Sequence, residues 1–307
     1  MYPTILTIGN FPVSSFGLFL ILALFGGAFV VWRIIRTYEL DEEKIIDLIL
    51  LTFAFGFIFA RLLYFLLNYD QFESLTRIFL INRYPGLSFW GGLFGGILAL
   101  KLFTKKLRLH FWQIADYAIV GFLLGNVISS LGCLLGGCGY GLPSNLVIAV
   151  SQVGQIGRRF PIQAVEALVF FIFFLILWKT VLRFHYHGKI ASLGLIYLGF
   201  IKLMMDFFKA VRLEENILNY AINLNLIFSI FLIVLGWRLN YKLGKRKLKE
   251  DLIFVRDLVV SSDKKKDLII SLKKGFYNSF VSFKLKIIRF KRNTLKFLHI
   301  KKNPADF

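Results

Sequence analysis

The 307 residues are 57% apolar and 17% aromatic, with a mean hydropathy of +0.67, which is too apolar for a charged, water-facing surface and makes lipid the natural solvent. The formal charge of +20 looks like a nucleic-acid signature until it is located: residues 238–307 hold 20 Lys/Arg against 6 Asp/Glu, and the surplus elsewhere falls mostly in short loops. A basic groove for nucleic acid is therefore excluded, and Cys133 and Cys138, the only cysteines, lack the spacing of a metal site, so neither metal nor cofactor is expected.

Met1 to Ser15 carries no charge and lacks the basic flank and small-residue cleavage site of a secretory leader, so nothing there is expected to be removed. A bilayer core needs ~20 apolar residues per helix. Apolar runs near residues 15–33, 45–67, 88–103, 114–135, 162–182, 191–208 and 217–237 predict about seven spans. The odd-to-even connections carry Arg33, Arg36 and Lys44, then Lys101, Lys105, Lys106 and Arg108, then Lys179, Arg183 and Lys189. The other connections are poorer in Lys/Arg. Basic loops stay in the cytoplasm, which places the N-terminus outside and the C-terminus inside.

The connection over residues 136–161 is rich in Gly and contains Pro143, so it is read as a re-entrant or periplasmic cap. Beyond Trp237 the chain turns polar. Phe276, Phe280, Phe283, Ile287 and Phe290 recur at helical spacing among Lys and Arg, which predicts a basic amphipathic helix on an anionic inner leaflet. A solvated, unstructured tail is the alternative.

Polar side chains at membrane depth are costly and mark function or a buried partner. The second run holds Arg61, which needs an anion or a carbonyl: a lipid phosphate, Glu166 and Asp206 are the candidates. The fourth run aligns Asn126, Ser130 and Cys133 at i, i+4 and i+7. The fifth opens with Gln163 and Glu166, and the sixth places Lys202, Asp206 and Lys209 on one wall. The third holds Gly91, Gly92, Gly95 and Gly96, two interleaved small-xxx-small pairs suited to close helix packing. Together these residues outline a cation-lined cavity suited to a phosphate-bearing lipid. Each has a duller reading: Lys202 with Asp206 as an ordinary i, i+4 ion pair, and Lys209 and Arg212 as snorkelling cations.

The opening Tyr2 and Pro3 with Ile8 and Gly9, the run Phe59 to Tyr64, the run Gly86 to Gly96 and the Gly-rich stretch Gly132 to Gly141 resemble the prolipoprotein diacylglyceryl transferase family, as do the number and order of spans. The resemblance covers residues 1–237, leaving 238–307 as a separate basic tail. It implies an all-α polytopic membrane bundle in the bacterial cell membrane that transfers a diacylglyceryl group from phosphatidylglycerol to the lipobox cysteine thiol of a preprolipoprotein and releases glycerol phosphate. By the same resemblance Lys202, Asp206 and Glu166 are the catalytic candidates. Arg61, Gly91, Gly92, Asn126, Ser130, Cys133, Gly141 and Gln163 are the substrate-binding ones, with Arg61 and Lys202 on phosphate and Gly91, Gly92 and Gly141 admitting lipid close to backbone.

The chain departs from the family pattern at several positions. The third-span motif Ser-Phe-His-Gly-Gly has Trp90 in place of its histidine, and an indole cannot accept a thiol proton. Ser130 stands where the fourth-span arginine falls, and Lys202, Asp206 and Lys209 stand for Arg, Glu and Arg; lysine lacks the bidentate hold of arginine on phosphate. Two readings follow: a transferase that deprotonates its thiol by another route, or a relative that binds lipid without turnover. A transporter is the third, although no internal repeat supports it.

Overall fold

A computed structural model of the chain describes residues 4–8, 11–69, 72, 75–80, 84, 86–151, 156–210, 214–217 and 220–245. The predicted amphipathic helix of the tail lies outside the described residues. In chain order the elements are β1 (Thr4–Ile8), β2 (Phe11–Ser14), α1 (Ser15–Thr37), α2 (Glu42–Leu67), a 3₁₀ turn (Leu75–Phe79), α3 (Phe89–Lys106), α4 (Phe111–Gly136), β3 (Val150–Ser151), β4 (Arg158–Arg159), α5 (Ile162–Val181), α6 (Lys189–Asp206), β5 (Glu214–Ile217), β6 (Tyr220–Asn223) and α7 (Leu224–Gly244). The strands form three small antiparallel hairpins, β1 with β2, β3 with β4 and β5 with β6.

Four of the seven described helices, α1, α2, α3 and α7, start where the capping side chain satisfies a free N–H group. Ser14 accepts from Gly17 N, Asp41 from Lys44 N, Ser88 from Gly91 N and Asn223 from Leu226 N. The last of these corrects the predicted seventh run. Ile217 ends β5 and Tyr220–Asn223 form β6, and the Asn223 cap moves the helix start to Leu224, from which it continues to Gly244.

Five of the seven helices among the described residues are long and apolar enough to cross a membrane. The other two are α3, with Lys101, Lys105 and Lys106, and α6, with Lys189, Lys202 and Asp206. Apolar side chains point both inward and outward. Val120, Leu123, Phe170 and Leu198 are fully enclosed, while Phe25, Phe29, Leu66 and Leu168 face out. Helices that are apolar all round belong to a lipid solvent, and the chain is an all-α membrane protein.

Packing pairs α1 with α4, α2 with α3, α4 with α5 and α6 with α7. Small residues set the spacing. A Cβ on Gly121 would lie 2.7 Å from Gly27 O, and one on Gly91 would lie 2.4 Å from Phe59 O, so these backbones touch directly.

The connections gather at two ends. At one, Tyr38 Oη donates to Val181 O at 2.7 Å, the His110 and His187 rings meet at 5.1 Å, and Tyr186 bonds to Asn240 near the end of α7. The odd-to-even loops with their Lys/Arg residues therefore lie together. At the other, Gly136 packs on Phe16, and residues 138–142 pair with the chain just after α6.

Candidate functional site

The start of α3 is the meeting point of the polar groups. Ser88 N donates to Ala60 O on α2 at 3.0 Å, and the Phe89 ring that follows lies 4.0 Å under the Lys202 ammonium of α6. Lys202 Nζ is 2.5 Å from Glu166 Oε1 on α5, and both residues are buried, 9% and 8% exposed. An ion pair at membrane depth needs such company, because desolvation is offset only when partners fill the charged atoms. Phe89 adds a ring face to the cation, and Phe170 a second at 5.6 Å.

Asp206 is held differently from the i, i+4 pairing with Lys202 that its spacing predicts. Asn225 Nδ2 donates to Oδ1 and Asn223 Nδ2 to Oδ2, both at 2.7 Å. Asn225 in turn accepts from Trp90 Nε1 at 3.0 Å. Both carboxylate oxygens of Asp206 are thus filled by amide donors, whereas Glu166 Oε2 has no hydrogen-bond partner among the described residues. Lys209 lies close enough to feel the charges of Glu166, Asp206 and Lys202, without a direct ion pair among the described residues.

Gln163, one turn before Glu166, donates from Nε2 to Cys138 O at 2.7 Å and Gly139 O at 3.1 Å. Cys133 and Cys138 are joined in a disulfide. Gly141 pairs with Lys209, and a Cβ there would lie 2.4 Å from Phe160 O, so its small size serves backbone packing. Asn126 donates to Phe122 O on its own helix, and Ser130 is buried one turn further along. Asn126, Ser129, Thr52 and Gly92 line a largely apolar cavity of about 400 Å³ among α1 to α4, and Thr52 Oγ1 there is buried with no partner among the described residues.

The structure does not bring Arg61 to Glu166 or Asp206. Its Nε donates to Ile78 O at 2.8 Å, and its Nη1 to Tyr84 O and Gly86 O at 2.8 and 2.9 Å, so the guanidinium clamps the connection between α2 and α3. Nη2 is buried with no partner among the described residues. Gly91 serves the α2–α3 contact, while Gly92 also borders the cavity.

Two polar groupings take their partners only in the folded chain. Asn223 and Asn225 carried a signal, since Asn before an apolar run marks a helix start, but their bonds to Asp206 had none. Asp116 accepts from Gly188 N and Ala191 N, both at 2.7 Å, so it caps α6 from α4, and His185 Nε2 stands 3.5 Å from it. The other ring nitrogen of His185 lies 2.6 Å from Arg183 O. The bond to Asp116 raises the His185 pKa above its ordinary 6.5, against partial burial.

Fold and site define a polytopic membrane protein with a buried, charge-balanced cluster at one end of a helical bundle. The sequence model of the family described as prolipoprotein diacylglyceryl transferase matches residues 3–241, and the chain belongs to that family. Curated relatives named phosphatidylglycerol–prolipoprotein diacylglyceryl transferase include that of Deinococcus radiodurans, 34% identical over 142 residues, which is 45% of this chain and 42% of the relative. That of Finegoldia magna is 24% identical over 246 residues, covering 80% of this chain and 97% of the relative. That of Thermosynechococcus vestitus is 30% identical over 142 residues, 46% and 53% of the two chains. The matched stretch thus spans about half the length of two of these relatives and nearly all of the third.

Proposed function

We propose that this chain transfers a diacylglyceryl group from phosphatidylglycerol to the lipobox cysteine thiol of a preprolipoprotein, with Glu166 as the general base. The observation that carries the assignment is the contrast between the two buried carboxylates: Asp206 has both oxygens filled by amides, whereas Glu166 has one filled by Lys202 and one without a partner among the described residues. Trp90, at the position of the motif histidine, is committed as a donor to Asn225 and takes no proton.

In this mechanism the thiol proton passes to Glu166 Oε2, the thiolate sulfur bonds to the glyceryl carbon, and the C–O bond to phosphate breaks. Glycerol phosphate leaves with the electron pair, and its developing charge is met by the ammonium groups of Lys202 and Lys209. The buried Nη2 of Arg61, without a partner among the described residues, is the donor that residue retains for phosphate. The cavity among α1 to α4 receives acyl chain, with its border at Gly92 close to Phe89 and hence to Lys202. The membrane is the bacterial inner membrane, the end with Gln163, Lys209 and the Gly-rich loop faces out, and residues 1–237 form the transferase domain with 238–307 as a cytoplasmic tail.

The test is transfer of labelled diacylglyceryl from phosphatidylglycerol to a lipobox peptide. Native chain should transfer label, Glu166→Gln should not, and Glu166→Asp should retain part of the activity. The second reading, lipid binding without turnover, is favoured by the indole at position 90. It predicts a silent native chain that still binds phosphatidylglycerol, with transfer appearing in the Trp90→His, Ser130→Arg double variant.

A further inference from the structure

α4 ends at Gly136, where Gly137 adopts a left-handed φ of 78° and both Gly137 N and Cys138 N donate to Cys133 O, at 3.0 and 3.1 Å. This tight turn is closed a second time by the Cys133–Cys138 disulfide. Both cysteines are half-buried, so small thiols and reductants reach them.

The segment leaving the turn is tied to both helices that carry the charge cluster. Carbonyls of Cys138 and Gly139 accept from Gln163, one turn before Glu166 on α5. Ala210 N donates to Tyr140 O at 3.2 Å, Leu142 N donates to Phe208 O at 3.0 Å, and Gly141 pairs with Lys209 between them. These partners follow Asp206 directly. Phe160 N closes the other edge on Leu142 O at 2.9 Å, just before α5. Residues 138–142 are therefore a short splint between the start of α5 and the end of α6, anchored to α4 through the cysteine turn.

Glu166 and Lys202 come from these two helices, and alignment across them decides whether base and cation act together. From this we propose that Cys133 and Cys138 are a positioning pair for the transfer reaction: their disulfide fixes the splint that sets α5 against α6, and its reduction lowers turnover. The proposal rests on the transferase reading. It also fits the proposed orientation, because disulfides persist on the oxidising side of a cell membrane.

The experiment uses the full chain in detergent with phosphatidylglycerol and a pre-reduced lipobox peptide. The protein is assayed untouched, after phosphine reduction with alkylation and removal of reagents, and as the Cys133→Ser, Cys138→Ser double variant. Untouched protein should show no free thiol. Reduction with alkylation should lower kcat on the order of tenfold or more, since small misplacements of reacting groups are that costly, with a smaller change in the KM for phosphatidylglycerol. The double variant should be equally slow and indifferent to the treatment. Full kcat in the alkylated protein or in the double variant overturns the proposal, as do two free thiols in untouched protein of full activity. If untouched, oxidised protein transfers nothing, the transferase reading fails, and amide exchange decides the splint by itself. Reduction should then speed exchange at Tyr140, Leu142, Phe208 and Ala210 and leave α2 and α3 unchanged; unaltered exchange at those four overturns it.

Discussion

Glu166 and Lys202 carry opposite charges in a place where neither is tolerable alone. Removing one partner of a buried pair leaves an uncompensated charge, at a cost of about 3–5 kcal/mol, whereas replacing both with apolar groups of similar volume is often neutral. Lys202→Met and Glu166→Leu should therefore each lower the thermal unfolding midpoint in detergent, and the double variant should recover most of the loss while remaining inactive in transfer. Recovery of transfer in the double variant would sink the assigned roles. Trp90 acts at the same scale. Trp90→Phe keeps the ring stacking on Phe94 and Phe228 but leaves Asn225 Oδ1 unpaired, so a stability loss of about 1–3 kcal/mol is expected, and Asn225→Leu with Trp90→Phe should cost less than the sum of the single changes in a double-mutant cycle.

At the scale of elements, the bundle is assembled by backbones that touch at glycine. Gly121 of α4 has no room for any side chain against Gly27 O, while a Cβ at Gly125 would stand 3.4 Å from Ala23 O, close to ordinary contact. Gly121→Ala should therefore destabilise the α1–α4 pair far more than Gly125→Ala, measured as unfolding midpoints in detergent; equal effects would mean that the helices part freely. The helix junctions add a titratable element. Asp116 caps α6 from outside, and His185 beside it has a pKa raised above its ordinary 6.5 by that carboxylate. A raised folded-state pKa contributes stability that is fully present below the unfolded value and is lost as pH rises through the folded one. Native protein should therefore lose unfolding temperature between about pH 6.5 and the higher folded pKa, and His185→Gln should remove that slope. The groups facing His185 are the Asp116 carboxylate, the Arg183 carbonyl and the more distant Lys189.

Over the whole molecule, the alternation of loops between two ends makes a topological prediction. Reporter fusions after residues 40, 108 and 188 should read cytoplasmic and fusions near 75 and 150 should read exterior, because the first three connections carry the Lys/Arg bias. An interior reading at 150 would put the disulfide turn and the charge cluster on the side without a secreted substrate, and would count against the transfer reaction as a whole.

The helices were legible in the chain itself because a lipid solvent demands long apolar runs, and composition encodes them; only the seventh run was misplaced, where Ile217, Tyr220, Ala221 and Ile222 of the β5–β6 hairpin lengthen the apolar pattern ahead of the helix. The candidate side chains were legible as a set, since Glu166, Lys202, Asp206 and Gln163 stand out at membrane depth. Their partners were not. Spacing along α6 pointed Asp206 at Lys202, and depth in α2 left Arg61 open to a phosphate, a carboxylate or a carbonyl; the folded chain gives Asp206 to two asparagines of the α7 start, Lys202 to α5, and Arg61 to three carbonyls of the next loop. One-dimensional periodicity fixes which face of a helix a residue occupies, but hydrogen bonds and ion pairs form over about 3 Å between segments far apart in the chain, so which buried charge meets which partner was decided by tertiary packing alone.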